Sequence, residues 1–128
     1  MPDFLLDSCV LIRHLRRHEP TTQLLASLVA EGSLGIATIT RTEILEGMRE
    51  HERPATIRLL DSLVSYPLDA PTADQAGDYI RSYRSQGITM HKPDAIIAAT
   101  AVCQNLTLVT YNPSHFSMTG LRRYEPMP

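Results

Sequence analysis

Short apolar runs alternate along the chain with longer segments in which apolar residues recur with a helical period. The short runs predict strands over residues 3–7, 34–38 and 106–110, and weaker strands over 66–69 and 121–124. The longer segments predict helices over 8–18, 20–32, 40–51, 54–64, 72–85 and 93–105, with Ser8 as the cap of the first. Strands that alternate with helices indicate an α/β fold with a parallel sheet covered on both faces, and we expect one domain over residues 1–128.

Acidic residues fall where this layout brings them to one edge of the sheet. The carboxyl ends of the strands and the amino ends of the helices share that edge, where open α/β sheets bind their ligands. Asp7 ends the first predicted strand. Glu43 lies in the first turn of the helix predicted after the second strand, and Asp94 lies in the first turn of the helix predicted to start at Pro93. Converging carboxylates repel one another, and a divalent cation relieves that repulsion. An all-oxygen site favours Mg²⁺ or Mn²⁺.

Each acid also has a simpler interpretation. Acidic residues in a first helical turn are favoured by the helix dipole, and Asp7 could simply cap the helix that follows it. On a helical wheel Glu43 lies away from Ile44 and beside Gly47, and this position fits an exposed surface as well as a cleft. Asp94 precedes a run that is apolar nearly all round, and a carboxylate at the mouth of a buried helix needs a partner.

Composition excludes several classes of protein. The 128 residues are 43% hydrophobic and 20% charged, with a net charge of −2, so the chain is not a generally basic nucleic-acid coat. Only seven residues are Phe or Tyr and none is Trp, which argues against an aromatic platform for single-stranded bases. Cys9 and Cys103 form neither a disulfide framework nor a metal-ligand spacing, and no clearly placed His would activate Cys9 as a nucleophile. With no signal peptide and no membrane-spanning run, we expect a cytoplasmic protein.

Several segments resemble, in order, those of PIN-domain nucleases. Residues 7–12 (Asp-Ser-Cys-Val-Leu-Ile) resemble the family's opening motif, and residues 42–47 (Thr-Glu-Ile-Leu-Glu-Gly) resemble its second segment, with an acid before a small residue. Residues 93–101 (Pro-Asp-Ala-Ile-Ile-Ala-Ala-Thr-Ala) resemble the Asp-Ala-x-Ile-Ala-Ala-x-Ala segment, and residues 108–116 resemble the closing strand and turn. The short chain is most similar to the VapC toxins of bacterial and archaeal toxin–antitoxin pairs.

This resemblance implies a Mg²⁺- or Mn²⁺-dependent endoribonuclease with a PIN-like three-layer α/β/α fold and a short central parallel sheet. Asp7, Glu43 and Asp94 match the family's acidic metal-site positions one by one, and Asn112 stands at the fourth acidic position. Because an amide carries no charge, we expect one well-held metal ion rather than two. Glu43 would orient or deprotonate a water. Ser8 and Thr110 would support the acids, or else make ordinary capping and strand-end hydrogen bonds.

Cations are expected around a negative site that receives RNA. Arg13, Arg16 and Arg17 share an arc of about 100° on the first predicted helix, where they would contact phosphates or form a solvated basic face. Arg41 lies near Glu43 and is a further candidate, with an ion pair to a nearby acid as its alternative.

The resemblance further implies a homodimer and an antitoxin chain that covers or enters the acidic groove. A helical surface rich in apolar residues could form part of a dimer face or pack in the core: Leu59, Leu60, Leu63, Ile96, Ile97 and Val102.

Different functions remain open at this stage. A PIN-like domain that binds RNA or protein without cleaving is the first alternative, because Asn112 breaks the fully acidic pattern. A Mg²⁺-dependent phosphoryl-transfer domain is the second. It fits less well, since Cys9 stands where a dehalogenase-like phosphatase needs its second Asp, and Lys92 does not follow a strand as a receiver domain requires.

Overall fold

The computed structural model describes residues 3–124 and contains a parallel five-stranded sheet in the order β3-β2-β1-β4-β5. The strands are β1 (Phe4–Leu6), β2 (Leu34–Ala37), β3 (Val64–Tyr66), β4 (Thr107–Val109) and β5 (Arg122–Tyr124). β1 lies at the centre, where Leu6 is level with Val109 of β4 and Leu5 is level with Gly35 of β2. A central parallel strand is covered on both faces, which explains why β1 is apolar and buried throughout.

Helices cover both faces of this sheet and complete the three layers that the sequence predicts. They are α1 (Ser8–Leu15), α2 (Glu19–Val29), α3 (Thr38–Gly47), α4 (Arg53–Asp61), α5 (Ala70–Ser85) and α6 (Lys92–Cys103). Short 3₁₀ helices occupy Glu50–Glu52 and Pro113–His115. Successive residues of β1 enter different layers, because side chains alternate across a strand. Leu5 packs with α6 residues such as Ala98, whereas Leu6 packs with Leu11 of α1.

Several predicted boundaries are wrong for local reasons. The first helix ends at Leu15 rather than at 18, since Arg17 adopts a left-handed backbone with φ 62°. The third ends at Gly47 rather than at 51, because Met48 is extended. The third strand, predicted at 66–69, instead occupies Val64–Tyr66. The fifth helix begins before Thr72, because the Asp69 side chain accepts a hydrogen bond from the Thr72 amide and caps the helix earlier.

Two residues of the predicted dimer surface belong to the core. Leu60 and Ile97 are fully buried on opposite faces of the sheet, so neither is available to a second chain. Leu59, Leu63, Ile96 and Val102 remain partly exposed. Within residues 3–124, the helices are too short or too polar to cross a lipid bilayer.

Candidate active site

Asp7 is buried at the carboxyl end of β1, and its carboxylate is held from several sides. Oδ1 accepts a hydrogen bond of 2.8 Å from the Ser8 amide, so Asp7 rather than Ser8 is the cap of α1. Oδ2 accepts one of 2.8 Å from the Thr110 hydroxyl and one of 3.3 Å from the Cys9 thiol. The backbone amide of Asn112 donates a hydrogen bond of 3.0 Å to Thr110 Oγ1, so the Thr110 hydroxyl hydrogen is free to point at Asp7. These hydrogen bonds offset the free-energy cost of burying the carboxylate.

Glu43 and Asp94 lie close enough to Asp7 for its charge to act on both. The pKa of Glu43 is raised by burial and then by the charges of Asp7 and Asp94, while Ser8 acts in the opposite direction. The pKa of Asp94 is raised by burial and by the charge of Asp7, and the imidazoles of His115 and His91 partly offset this. The charges of the three predicted acids therefore act on one another near this edge of the sheet. Because α3 begins at Thr38, Glu43 lies in its second turn and not in the first turn, where the sequence predicted it.

The donor set of this site fits a hard divalent cation, although the ligands are not assembled as they stand. Within residues 3–124, no three His, Cys, Asp or Glu side chains are grouped tightly enough to hold an ion. However, Glu43 Oε1 is buried without a hydrogen-bond partner, and such an atom is costly unless a cation or a water satisfies it. Carboxylate oxygens are the ligands that Mg²⁺ and Mn²⁺ prefer. A side-chain adjustment of the three acids around an ion would relieve their repulsion.

The turn after β4 contributes side chains whose contacts were not predicted. His115 Nδ1 lies 3.5 Å from Asp94 Oδ2, because the 3₁₀ helix Pro113–His115 turns the chain back toward the start of α6. Tyr111 lies between Thr110 and Asn112 and contacts the α1–α2 region instead of the acids. The sequence signal available for both residues was their position in the segment that follows β4.

The thiol of Cys9 is suited to donating a hydrogen bond and poorly suited to nucleophilic attack. Burial, followed by the charge of Asp7, raises the pKa of Cys9 to about 11. The thiol therefore stays protonated at neutral pH, and no thiolate is available for catalysis.

The predicted cations have different surroundings. The Arg13 guanidinium stacks on the Tyr111 ring, with Cζ 3.7 Å from the ring centroid. Arg16 lines a groove of about 530 Å³ that also contains Glu43. Arg17 is exposed on the turn after α1. Arg41 forms an ion pair of 3.1 Å with Asp61, which is the alternative expected for it.

Comparison with known proteins agrees with this architecture. The family model described as "PIN domain" matches residues 4–120. The chain is 40% identical over 114 residues to Ribonuclease VapC10 of Mycobacterium tuberculosis, covering 89% of this chain and 86% of that protein. It is 32% identical over 115 residues to Ribonuclease VapC19 of the same species, covering 89% of this chain and 92% of the relative.

Solved structures share the fold. VapBC of Salmonella typhimurium, solved bound to DNA, superposes with a TM-score of 0.84 at 22% identity, covering 99% of this chain and 100% of that chain. VapBC2 of Rickettsia felis, solved with a promoter DNA fragment, gives a TM-score of 0.83 at 18% identity, covering 96% of this chain and 98% of that one.

Proposed function

The chain belongs to the PIN-domain family, among the VapC ribonuclease toxins, and on that premise we propose that Asp7, Glu43 and Asp94 form the metal-dependent centre that cleaves RNA phosphodiester bonds. The observation that carries the proposal is electrostatic. The pKa values of Glu43 and Asp94 are both raised, first by burial and then by the charge of Asp7, although the three residues come from separate elements. Carboxylates brought together in this way favour a divalent cation.

The chain's own residues would have distinct tasks. Asp7, Asp94 and Glu43 would hold a Mg²⁺ or Mn²⁺ ion, which when bound supplies an activated water and offsets charge on the phosphate. Glu43 Oε1, which is buried and unpartnered, would orient the attacking water and accept its proton. Ser8 and Thr110 would keep the acids in position. Asn112 supplies no fourth carboxylate, which favours one tightly held ion.

The partners follow from the same family. One structural relative, from Klebsiella pneumoniae, was solved as a toxin–antitoxin complex, and another, from Mycobacterium tuberculosis, belongs to the VapBC family of toxin–antitoxin systems. We propose a cytoplasmic homodimer that cleaves RNA and is covered by a cognate antitoxin. Arg13, Arg16 and Arg17 would contact RNA phosphates. Arg41 would contribute less, because Asp61 already pairs with it.

A binding-only PIN domain is the second candidate, and Asn112 is the observation that favours it. One experiment separates the two. Purified protein is incubated with structured RNA and Mn²⁺, and Asp7→Asn and Asp94→Asn are compared with Asp74→Asn, which neutralises an exposed acid on α5.

The nuclease proposal expects both site variants to lose at least about 100-fold in cleavage rate, while their circular dichroism and the activity of Asp74→Asn match wild type. Wild-type cleavage by a folded Asp94→Asn would refute the site. Absence of Mn²⁺-dependent cleavage by wild type would support the binding-only domain.

A further inference from the structure

A buried polar contact joins the turn after β4 to the start of α2. The Tyr111 hydroxyl lies 2.6 Å from Thr21 Oγ1, which lies 2.7 Å from His18 Nδ1. Thr21 is completely buried, although it is polar. A hydroxyl has one hydrogen to donate, so Thr21 donates to at most one of these partners and accepts from at least one of them. Both distances are short for hydrogen bonds that involve hydroxyl groups, and the contact spans 90 residues of sequence.

The Tyr111 ring is restrained as well as its hydroxyl. The Arg13 guanidinium covers one face, and the His18 ring meets Tyr111 edge-on, with ring centroids 6.4 Å apart. The Tyr111 side chain therefore contacts Thr21 through its hydroxyl, Arg13 on one ring face and the His18 ring, and all three partners are distant in sequence.

The neighbours of Tyr111 in the chain are the residues that hold Asp7. Thr110 donates to Asp7 Oδ2, and the Asn112 amide orients the Thr110 hydroxyl. The side chains of Thr110 and Tyr111 contact different parts of the molecule, as consecutive residues of an extended segment do. Fixing Tyr111 on the α1–α2 side therefore fixes the backbone from which Thr110 reaches Asp7.

We infer that Tyr111 is a positioning residue of the nuclease site, which holds the Thr110–Asn112 turn against Asp7 through its buried bond to Thr21. The inference rests on the proposed function, because it assigns Asp7 to the reaction. Tyr111 acts through Thr110 and touches neither RNA nor an ion in this role. It also holds Arg13 beside the same turn, so one side chain links the carboxylate to a candidate phosphate-binding cation.

The test removes the buried bond and leaves the ring in place. Tyr111→Phe deletes the hydroxyl but keeps the surface on which Arg13 stacks, and Thr21→Val deletes the partner hydroxyl at similar volume. Tyr83→Phe is the matched control, since its hydroxyl also meets a hydroxyl, Ser117 Oγ at 2.9 Å, at an exposed site. For each protein and for the double variant Tyr111→Phe/Thr21→Val, kcat and KM for RNA are measured at saturating Mn²⁺. Amide hydrogen exchange at Asn112 is measured by NMR in the full chain.

The inference expects Tyr111→Phe and Thr21→Val each to lower kcat about threefold to tenfold, with KM within about twofold of wild type. Exchange at Asn112 should accelerate by a similar factor, because its amide bonds the residue that Tyr111 positions. The double variant should be no worse than the poorer single variant, since both substitutions remove the Tyr111–Thr21 bond and only Thr21→Val also removes the bond to His18. Tyr83→Phe should match wild type.

Wild-type kcat or wild-type Asn112 exchange in a folded Tyr111→Phe would overturn the inference, as would additive losses in the double variant. Failure of the proposed function is a separate result, seen as cleavage that persists in Asp94→Asn. In that case the exchange measurement still decides whether Tyr111 holds the turn, since exchange does not depend on activity.

Discussion

The hydroxyl of Thr110 donates a 2.8 Å hydrogen bond to Oδ2 of Asp7, which lies 103 positions earlier in the chain. The contact follows from sheet topology, because β1 and β4 are neighbouring parallel strands with Leu6 level with Val109. The residue after each of these positions then emerges at the same edge. A buried carboxylate and the hydroxyl that orients it are therefore paired by strand register.

Thr110→Val should reduce RNA cleavage about tenfold, because it removes a hydrogen bond to a charged group and leaves Asp7 Oδ2 with only the weaker Cys9 donor. Thr110→Ser keeps the hydroxyl and should restore most of the rate. Single-turnover cleavage at saturating Mn²⁺ measures both. Equal activity in the valine and serine variants would mean that the hydroxyl does not support Asp7.

Glu43→Gln should stabilise the protein in EDTA increasingly as pH rises. Folding raises the pKa of Glu43, so below about pH 4.5 both folded and unfolded chains hold its proton and nothing is lost. As pH rises through the folded-state pKa, the unfolded chain has already released the proton, and wild type loses stability that the glutamine variant keeps. The melting-temperature difference between variant and wild type should grow between about pH 4 and pH 7. Adding Mn²⁺ should cancel this melting-temperature difference. A difference that shrinks as pH rises would contradict the burial and charge repulsion that raise the pKa of Glu43.

Cys9 should resist alkylation under native conditions while Cys103 reacts. The pKa of Cys9 is raised to about 11, so only about 0.1% of it is thiolate at pH 8, and it is partly buried, whereas Cys103 is exposed. Iodoacetamide treatment followed by peptide mass spectrometry gives the two modification rates, with urea-unfolded protein as the control. Faster labelling at Cys9 than at Cys103 in the native protein would be inconsistent with this environment.

Asn112→Asp should add a carboxylate beside Thr110 and increase the number of divalent ions that bind tightly. Wild type is expected to bind one Mn²⁺ ion tightly per chain, and the variant a second with at least about tenfold improved affinity. Isothermal titration calorimetry counts the ions. Gln104→Glu, which adds an acid at the exposed end of α6, is the control for net charge. If wild type binds two Mn²⁺ ions tightly, the side-chain amide of Asn112 is sufficient for the second ion.

Arg16→Ala and Arg17→Ala should weaken RNA binding and make it less sensitive to salt. Both arginines are exposed, and neither forms an ion pair within residues 3–124. Each lost phosphate contact should reduce the slope of log affinity against log salt by about 0.7. The slope is measured from RNA binding by variants that also carry Asp94→Asn, which prevents cleavage. Arg84→Ala, which removes an exposed arginine on α5, is the control. An unchanged slope would assign these arginines to a solvated surface.

The sequence by itself determined the elements and the shared edge. Apolar runs specify β1, β2 and β4, and the βαβ connection rule predicts that Asp7, Glu43 and Asp94 lie toward the same edge of the sheet. The predicted helix boundaries are wrong where a single residue ends or begins a helix, as at Arg17 and Asp69. Hydrophobic periodicity is insensitive to such local backbone and capping effects.

Only the tertiary structure decided which partner each side chain takes. Arg41 pairs with Asp61, His115 approaches Asp94, and Tyr111 bonds Thr21, although nothing in their local sequence selects these partners. Periodicity also could not tell that Leu60 and Ile97 are core residues, because an apolar helix face packs equally well on a sheet or on a second chain. Element type depends on neighbours in sequence, whereas pairing depends on strand register and on how helices pack across the sheet.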